Sequence, residues 1–412
     1  MPRQNIIAGL DIGSSKISVV VGNTLQGDSE KIEIIGVGHA PSEGLRGGVV
    51  VDLKQTTEAI RKAISDAELM AGIKIDSVCA GISGEHIVGQ MSHGVVSVTN
   101  SPEITQNDVH RAMVAAEAIS IPADRQVLHV IEQNFVVDAQ DRIKEPVGMS
   151  GARLEAYAYL IIGGTTAIEN LCNSIKRAND PEELEIETLV VAPLAAAQAV
   201  VSRDEREVGI ALVDIGGGTT EIIVYKEDSI QHTAVLPVGG KHVTNDIAQY
   251  LKVTLPEAEE LKLHRGCAWT ELVNPDTAEP IPVTVGSNRP RFIDRIDLAQ
   301  NIEYRMAEIL HAVANELEDI PLPGGLVLTG GTALMEGLPE LAEAIIPLRV
   351  QVGYPKALRG LTDRVNHPMY ATSIGLVLYG EKQRHQALEH SLQQRHNAFG
   401  RMLQRIKEWF GY

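Results

Sequence analysis

Two stretches of the chain share one pattern of apolar and polar positions. "IIAGLDIGSSKISVVVG" (residues 6–22) sets β-branched runs on either side of a small polar centre, which predicts two strands joined by a tight turn. "GIALVDIGGGTTEIIVY" (residues 209–225) repeats the pattern, with Asp214-Ile215-Gly216 in register with Asp11-Ile12-Gly13. One Asp-x-Gly turn says little. Two in equivalent contexts predict an internal duplication, with two similar α/β halves facing each other across a cleft.

The intervening pattern fits such halves. "KIEIIGVGHA" reads as a further strand, and "LKQTTEAIRKAISDAELMAGI" as a helix with Ile60, Ile64, Ala67 and Met70 on one face and Gly72 as its stop. "DSVCAGIS" is a buried strand. Gly84 to Tyr159 breaks the scheme: a strand-like "HIVGQMSHGVVSV", a helix opened by Thr105 with Asp108 three residues on, then strands in "QVLHVIEQNFVVD" and "GARLEAYAYLII". This predicts a small inserted α+β subdomain. "IETLVVAPLAAAQAVVS" is a strand entering an Ala-rich helix, and "TNDIAQYLKVTLPEAEELKLHRG" is helical on both sides of Pro256. Leu298, Ile302, Ile309, Leu310, Val313 and Leu317 recur at helical spacing. "GGLVLTGGTALMEGLPELAEAI" is strand, Gly-rich turn and helix.

The expected division is 1–83, 160–200 and 355–380 for the first lobe, 84–159 for the insert, and 201–354 for the second lobe. Within that lobe a small subdomain covers about 241–300. A linker at 381–397 and an amphipathic helix at 398–412 follow.

Composition narrows the function classes. The 412 residues carry a net charge of −18, which argues against a nucleic-acid partner because phosphate neutralisation needs a basic face. Cys79, Cys172 and Cys267 are scattered without a CxxC, the usage of a reducing cytoplasm without a zinc site. The start lacks a signal pattern, and no apolar run approaches the ~20 residues of a spanning helix. A cytoplasmic protein that does not cross a membrane is expected.

The facing turns suit a nucleoside triphosphate with its metal. Backbone N–H groups at Gly13-Ser14-Ser15 and at Gly216-Gly217-Gly218-Thr219 form nests for phosphate oxygens. The hydroxyls of Ser14, Ser15, Thr219 and Thr220 add donors, and Lys16 adds a point charge. Asp11 and Asp214 would hold Mg²⁺ largely through its waters. The Gly330-Gly331 turn lets backbone come close to a ligand, and Gly239 and Gly240 form either a phosphate contact or a plain turn.

"LDIGSSK", "VDIGGGTTE" and "LTGGTALMEG" resemble the two phosphate motifs and the adenosine motif of the actin, sugar-kinase and heat-shock-chaperone superfamily. "PVGMSGARLEAY", "AELMAG", "EELKLHRGCA" and the tail resemble the FtsA family of bacterial cell-division proteins, over essentially the whole chain. The resemblance implies an actin-like duplicated α/β fold around an ATP cleft. In it Asp11, Gly13, Ser14, Ser15 and Lys16 oppose Asp214, Gly216, Gly217, Gly218 and Thr219. Gly330, Gly331 and Thr332 would lie by the adenosine, Leu334 or Met335 against the base, and Glu259 and Lys262 near the ribose and base. Hydrolysing relatives carry an acidic residue in the first connecting helix, where this chain has Ala192. ATP binding with slow or no hydrolysis is expected, with proton handling left to Asp11, Asp214 or solvent.

The tail reverses the charge of the body. From Glu381 onward six basic residues oppose three acidic ones, and "EKQRHQALEHSLQQRHN" reads as a polar linker. Phe399, Met402, Leu403, Ile406, Trp409 and Phe410 form one stripe, with Arg401, Arg405 and Lys407 away from it. That is the pattern of a helix lying on an anionic lipid surface. The resemblance further implies filaments on the cytoplasmic face of the inner membrane at the septum. It implies capture of the FtsZ C-terminal peptide near Arg295, Asn301 and Arg305, and contact of the insert with later division proteins such as FtsN. A sugar kinase would lack this tail and need a sugar pocket. A pilus-assembly actin homologue, the nearest alternative, would not be expected to end so. A chaperone would need a long substrate domain after the core.

Overall fold

In the computed structural model, which describes residues 5–24, 32–99, 102–274, 280–285, 289–356 and 358–387, the two expected hairpins become the centres of two sheets built on one plan. In the first, Ile6–Ile12 pairs antiparallel with Lys16–Thr24, which pairs antiparallel with Ile32–Pro41. On its other side Ile6–Ile12 runs parallel to Ser77–Ile82, and that strand parallel to Glu185–Val191. The second sheet repeats this order with Ile210–Ile215, Thr220–Lys226, Ser229–Leu236, Leu326–Thr329 and Val350–Val352. The first adds Leu358–Gly360 at its edge. The duplication read from two turns thus extends to five strands in each half.

Both sheets are covered on both faces, so their strands read as continuous apolar runs rather than alternating ones; Val19, Val20 and Val21 are all fully buried. Helix Leu53–Ala71 lies against Ile32–Pro41 at Gly38, where a Cβ would strike the helix backbone at Ala63 and Ala67. The opposite face is closed by the helix of residues 371–387, whose backbone approaches at Gly9 and whose Val377 side chain packs over Gly22. Ile60, Ile64 and Ala67 are buried as expected, but Met70 is 40% exposed. The close approach at Gly36 and Gly38 turns the helix so that Ala71, not Met70, meets the sheet.

The insert is a four-stranded antiparallel sheet, Val88–Ser97, Arg153–Gly164, Arg125–Val137 and Gln140–Ile143 in spatial order, with helix Gln106–Glu117 on one face. Thr105 and Asp108 close the helix start reciprocally, as their spacing predicts. The expected boundary at Tyr159 falls inside strand Arg153–Gly164, which runs unbroken from the insert into the first lobe. The insert also reaches the second lobe. The Gln133 carboxamide accepts from the Ile230 N–H at 2.7 Å, and the Tyr159 and Thr233 hydroxyls lie 3.0 Å apart.

The segment around Pro256 is helical in two pieces, and the break between them is at Lys252, whose φ of 59° ends helix Gly240–Leu251. Thr254 then caps helix Leu255–Arg265, with Pro256 in its first turn, where a missing N–H costs nothing. Helix Arg295–Glu316 crosses the expected small-subdomain limit near 300, with Leu298, Ile302, Ile309, Leu310 and Val313 fully buried. The presumed linker is helical through residue 387: Glu381 is buried, and Arg384 pairs with Glu187 at 2.6 Å and donates to the Ile6 carbonyl. These contacts carry the helix past the point where its composition turns polar. The tail stripe from Phe399 to Phe410 lies outside the described residues.

Candidate nucleotide-binding cleft

The two Asp-x-Gly turns are closed by equivalent hydrogen bonds, Gly13 N to Lys16 O at 3.1 Å and Gly216 N to Thr219 O at 3.0 Å. They meet across a cavity of about 680 Å³, the size class of small-molecule and cofactor sites. Its walls bring together Asp11, Gly13, Ser14, Ser15 and Lys16 from one lobe with Asp214, Gly216, Gly217, Thr219 and Gly240 from the other. Glu259, Lys262, Gly330, Gly331, Thr332, Leu334 and Met335 also line it.

Gly218 and Gly239 are not in that wall. A Cβ at Gly218 would press on Ser14, and one at Gly239 on the Gly216 carbonyl. They let the turns pack against their neighbours rather than face a ligand. Gly240 N and Lys241 N then donate to the carbonyls of Gly216 and Gly217 at 2.9 and 2.8 Å, bracing the second turn from behind. Gly330 sits at φ +87°, and a Cβ there would collide with the Asp214 carboxylate. This is the position where the turn after Leu326–Thr329 must be glycine.

Electrostatics concentrates at the turns. Burial pushes the Asp11 carboxyl up to about 6, against the opposing pull of Lys16 and a Ser18 hydrogen bond. Burial, then the charge of Asp11, raises Asp214, which accepts from the Thr372 hydroxyl at 3.2 Å. Burial brings the Lys16 ammonium down to about 8, although Asp11 and Asp214 favour its charge. Among the described residues no group of three or more His, Cys, Asp or Glu is arranged to hold a metal ion.

Lys262 is 9% exposed and fully engaged. It donates to Gly240 O at 3.2 Å, Thr244 Oγ1 at 2.9 Å and Glu259 at 2.7 Å. What composition would read as a solvated helix face is therefore a cavity wall. Leu263, His264 and Gly266 of the same segment join it.

Sequence reasoning missed a carboxylate. Ala192 lines the cavity as expected, but so does Glu221, one strand over. Glu221 is buried, accepts from Thr219 at 3.1 Å and from Ser83, and is held well above the usual glutamate range by burial and then by the charge of Asp214. A signal was present: Glu221 pairs in register with Asp214 across the hairpin, as Ser18 does with Asp11. His367, Met369 and Thr372 also line the cavity, and their distance in sequence left no such signal.

The three residues expected to meet a peptide do not form one patch. Asn301 and Arg305 line a shallow concavity with Asp246, Gln249, Tyr250, Tyr304 and Glu308. Asp246 holds Arg305 by two bonds, at 2.6 and 3.2 Å, and Glu308 by a third at 2.7 Å. The buried Asn301 Oδ1 has no partner among the described residues, while Tyr304 is 79% exposed. Arg295 lies apart, paired with Glu336 at the rim of the large cavity.

Comparison with known proteins places this architecture. A family model described as cell division protein FtsA matches residues 211–375, and one described as the SHS2 domain inserted in FTSA matches residues 84–162. Cell division protein FtsA of Pseudomonas aeruginosa is 42% identical over 91% of this chain and 89% of its own length. The Neisseria meningitidis protein of that name is 39% identical over 99% and 98%, and the Escherichia coli K12 protein 36% over 98% and 97%. Among solved structures, a chain of the PilM-PilN type IV pilus biogenesis complex superposes with a TM-score of 0.64 at 17% identity, covering 92% of this chain and 99% of its own. MreB5 of Spiroplasma citri bound to AMPPNP gives 0.57 at 14% identity, with 95% and 100% covered. These two likenesses establish the actin-like fold alone. The insert in its expected place, the paired turns and the identity across nearly the full length together mean that the chain belongs to the FtsA family of cell-division proteins.

Proposed function

We propose that the protein is an ATP-binding, actin-like component of the division machinery that assembles on the cytoplasmic face of the inner membrane and tethers the FtsZ ring there. The cavity between the paired turns carries the nucleotide part of this reading: its wall combines glycine backbone, hydroxyls, Lys16 and Lys262 with the apolar Leu334 and Met335. That combination of anion donors and apolar side chains suits a triphosphate joined to a nucleoside. Asp11 and Asp214 fit a divalent cation, since burial raises both carboxyls, the charge of Asp11 raises Asp214 further, and a cation would relieve that cost. Mg²⁺ bound there through its waters would offset the charge of the phosphate oxygens.

Slow hydrolysis follows from the walls. The connecting helix starts at Ala192 without a carboxylate, and Glu221 already accepts from Ser83 and Thr219. Little is left to orient and deprotonate an attacking water.

No helix among the described residues is long and apolar enough to cross a membrane. The basic C-terminal stripe, Phe399 to Phe410, is the proposed means of attachment. A single basic amphipathic helix binds reversibly. A filament of such chains multiplies the tails on one surface and converts weak binding into firm attachment. The concavity at Asn301 and Arg305 is the proposed seat of the FtsZ C-terminal peptide, and the insert the proposed contact for later division proteins such as FtsN.

Sedimentation with anionic liposomes tests the reading, run with and without ATP and the FtsZ peptide. The wild-type chain should pellet, more fully with ATP, and carry the peptide with it. Trp409→Glu should stay in the supernatant, and equal pelleting of this variant would remove the anchor.

A further inference from the structure

Lys16 lines the cavity beside Asp11 and Asp214, yet the atoms that hold its ammonium come from neither hairpin. Lys16 Nζ donates to the Met369 carbonyl at 2.8 Å and lies 4.2 Å from the centroid of the Tyr370 ring. Both belong to the single turn Pro368–Tyr370, which is itself pinned. Tyr370 N donates to His367 O at 3.0 Å, Met369 N to His367 Nδ1 at 3.2 Å, and Thr329 Oγ1 to Pro368 O at 3.4 Å. Two residues further on, Thr372 holds Asp214 in the other lobe. Tyr370 as a whole is 9% exposed, so its ring is packed in place by its neighbours.

An ammonium has three donors. The Met369 carbonyl takes one, and the ring attracts the charge through its π face without needing another in line. The remaining donors are free to serve an anion in the cavity. A lysine side chain otherwise loses considerable rotamer freedom when a ligand fixes it. Here that cost is met before a ligand arrives.

We propose that Tyr370 is a positioning residue for triphosphate binding, its ring and the Met369 carbonyl together seating the Lys16 ammonium at the phosphate end of the cleft. The assignment rests on the reading of the cleft as an ATP site and adds the element that orients its cation.

Calorimetric titration of the full chain with ATP and, separately, with adenosine tests it. Tyr370→Phe keeps the ring and should bind ATP as the wild type does. Tyr370→Leu should weaken ATP by about tenfold, the scale of a desolvated cation–ring contact, and leave adenosine unchanged. In a Lys16→Met chain the same Tyr370→Leu change should cost nothing further. Should the Leu variant fold poorly, phenylalanines of increasing fluorine content in place of Tyr370 keep its shape while draining the π face, and ATP affinity should fall stepwise along that series. Equal losses for ATP and adenosine, a flat fluorine series, or tighter ATP binding by Tyr370→Leu would each overturn the assignment alone. A wild-type chain that binds neither ligand would overturn the nucleotide reading and the assignment with it.

Discussion

Gly217 of the second turn packs so closely on Ser15 of the first that a Cβ at position 217 would overlap the Ser15 hydroxyl. The lobes therefore touch at the point where both turns face the cavity. Gly217→Ala should push the turns apart or force Ser15 to rotate, at an overpacking cost of about 1–3 kcal/mol. ATP affinity measured by titration is expected to fall by about tenfold, and Ser15→Gly in the same chain should restore it. A Gly217→Ala chain that binds ATP normally would show that the turns separate when nucleotide enters.

The hairpins, the insert and most of the cavity wall were legible because each is written locally. β-branched runs around Asp11 and Asp214 name the strands, and the offset between them names the duplication. Lys262 was not legible from its own helix, since "AEELK" reads as a solvated face until tertiary packing buries it beside Gly240. Tyr370 and Thr372 carry no local signal, because their role depends on a turn from the far end of the chain reaching both lobes. The helix past Glu381 was misread for a related reason: Arg384 is polar in composition but finds Glu187 and the Ile6 carbonyl in the first lobe.

Glu221 should give the nucleotide-free chain a distinctive pH response. Its folded-state carboxyl is raised by burial and by Asp214, so ionising it costs more in the folded chain than in the unfolded one. Above the ordinary glutamate range the unfolded state holds fewer protons, and stability falls as pH rises toward the folded value. Glu221→Gln keeps the shape and removes that penalty. Without nucleotide or divalent cation, the variant's melting advantage over wild type should grow between about pH 5 and about pH 8. A constant difference across that range would mean that Glu221 ionises normally.

Lys262→Met should act at the nucleoside end. The change removes the contacts to Gly240 and Thr244 and leaves Glu259 without its ammonium partner. Affinity for adenosine and for ATP should fall together, by about tenfold for a lost charge-assisted contact. Loss of ATP binding with adenosine unaffected would place Lys262 at the phosphates instead.

Among the ties between the insert and the second lobe is one buried carboxamide. Gln133 is 5% exposed; it donates to Ile131 O at 3.0 Å and accepts from Ile230 N at 2.7 Å, on the edge strand Ser229–Leu236. Gln133→Leu fills similar space but leaves the Ile230 N–H without its acceptor, which costs about 1–3 kcal/mol when such a group stays buried. The loss is local, so hydrogen exchange reads it better than a global melt. Amide exchange across Ser229–Leu236 should speed up, most at Ile230, while the sheet centre at Ile210–Ile215 is unchanged. Gln133→Glu should retain protection at Ile230 wherever its carboxylate still accepts that bond. Unaltered exchange at Ile230 in the Leu variant would mean that the insert rests on the second lobe through its other contacts, Tyr159 with Thr233, Lys144 with Ser229 and Arg142 with Glu227, with the edge strand's N–H satisfied by solvent.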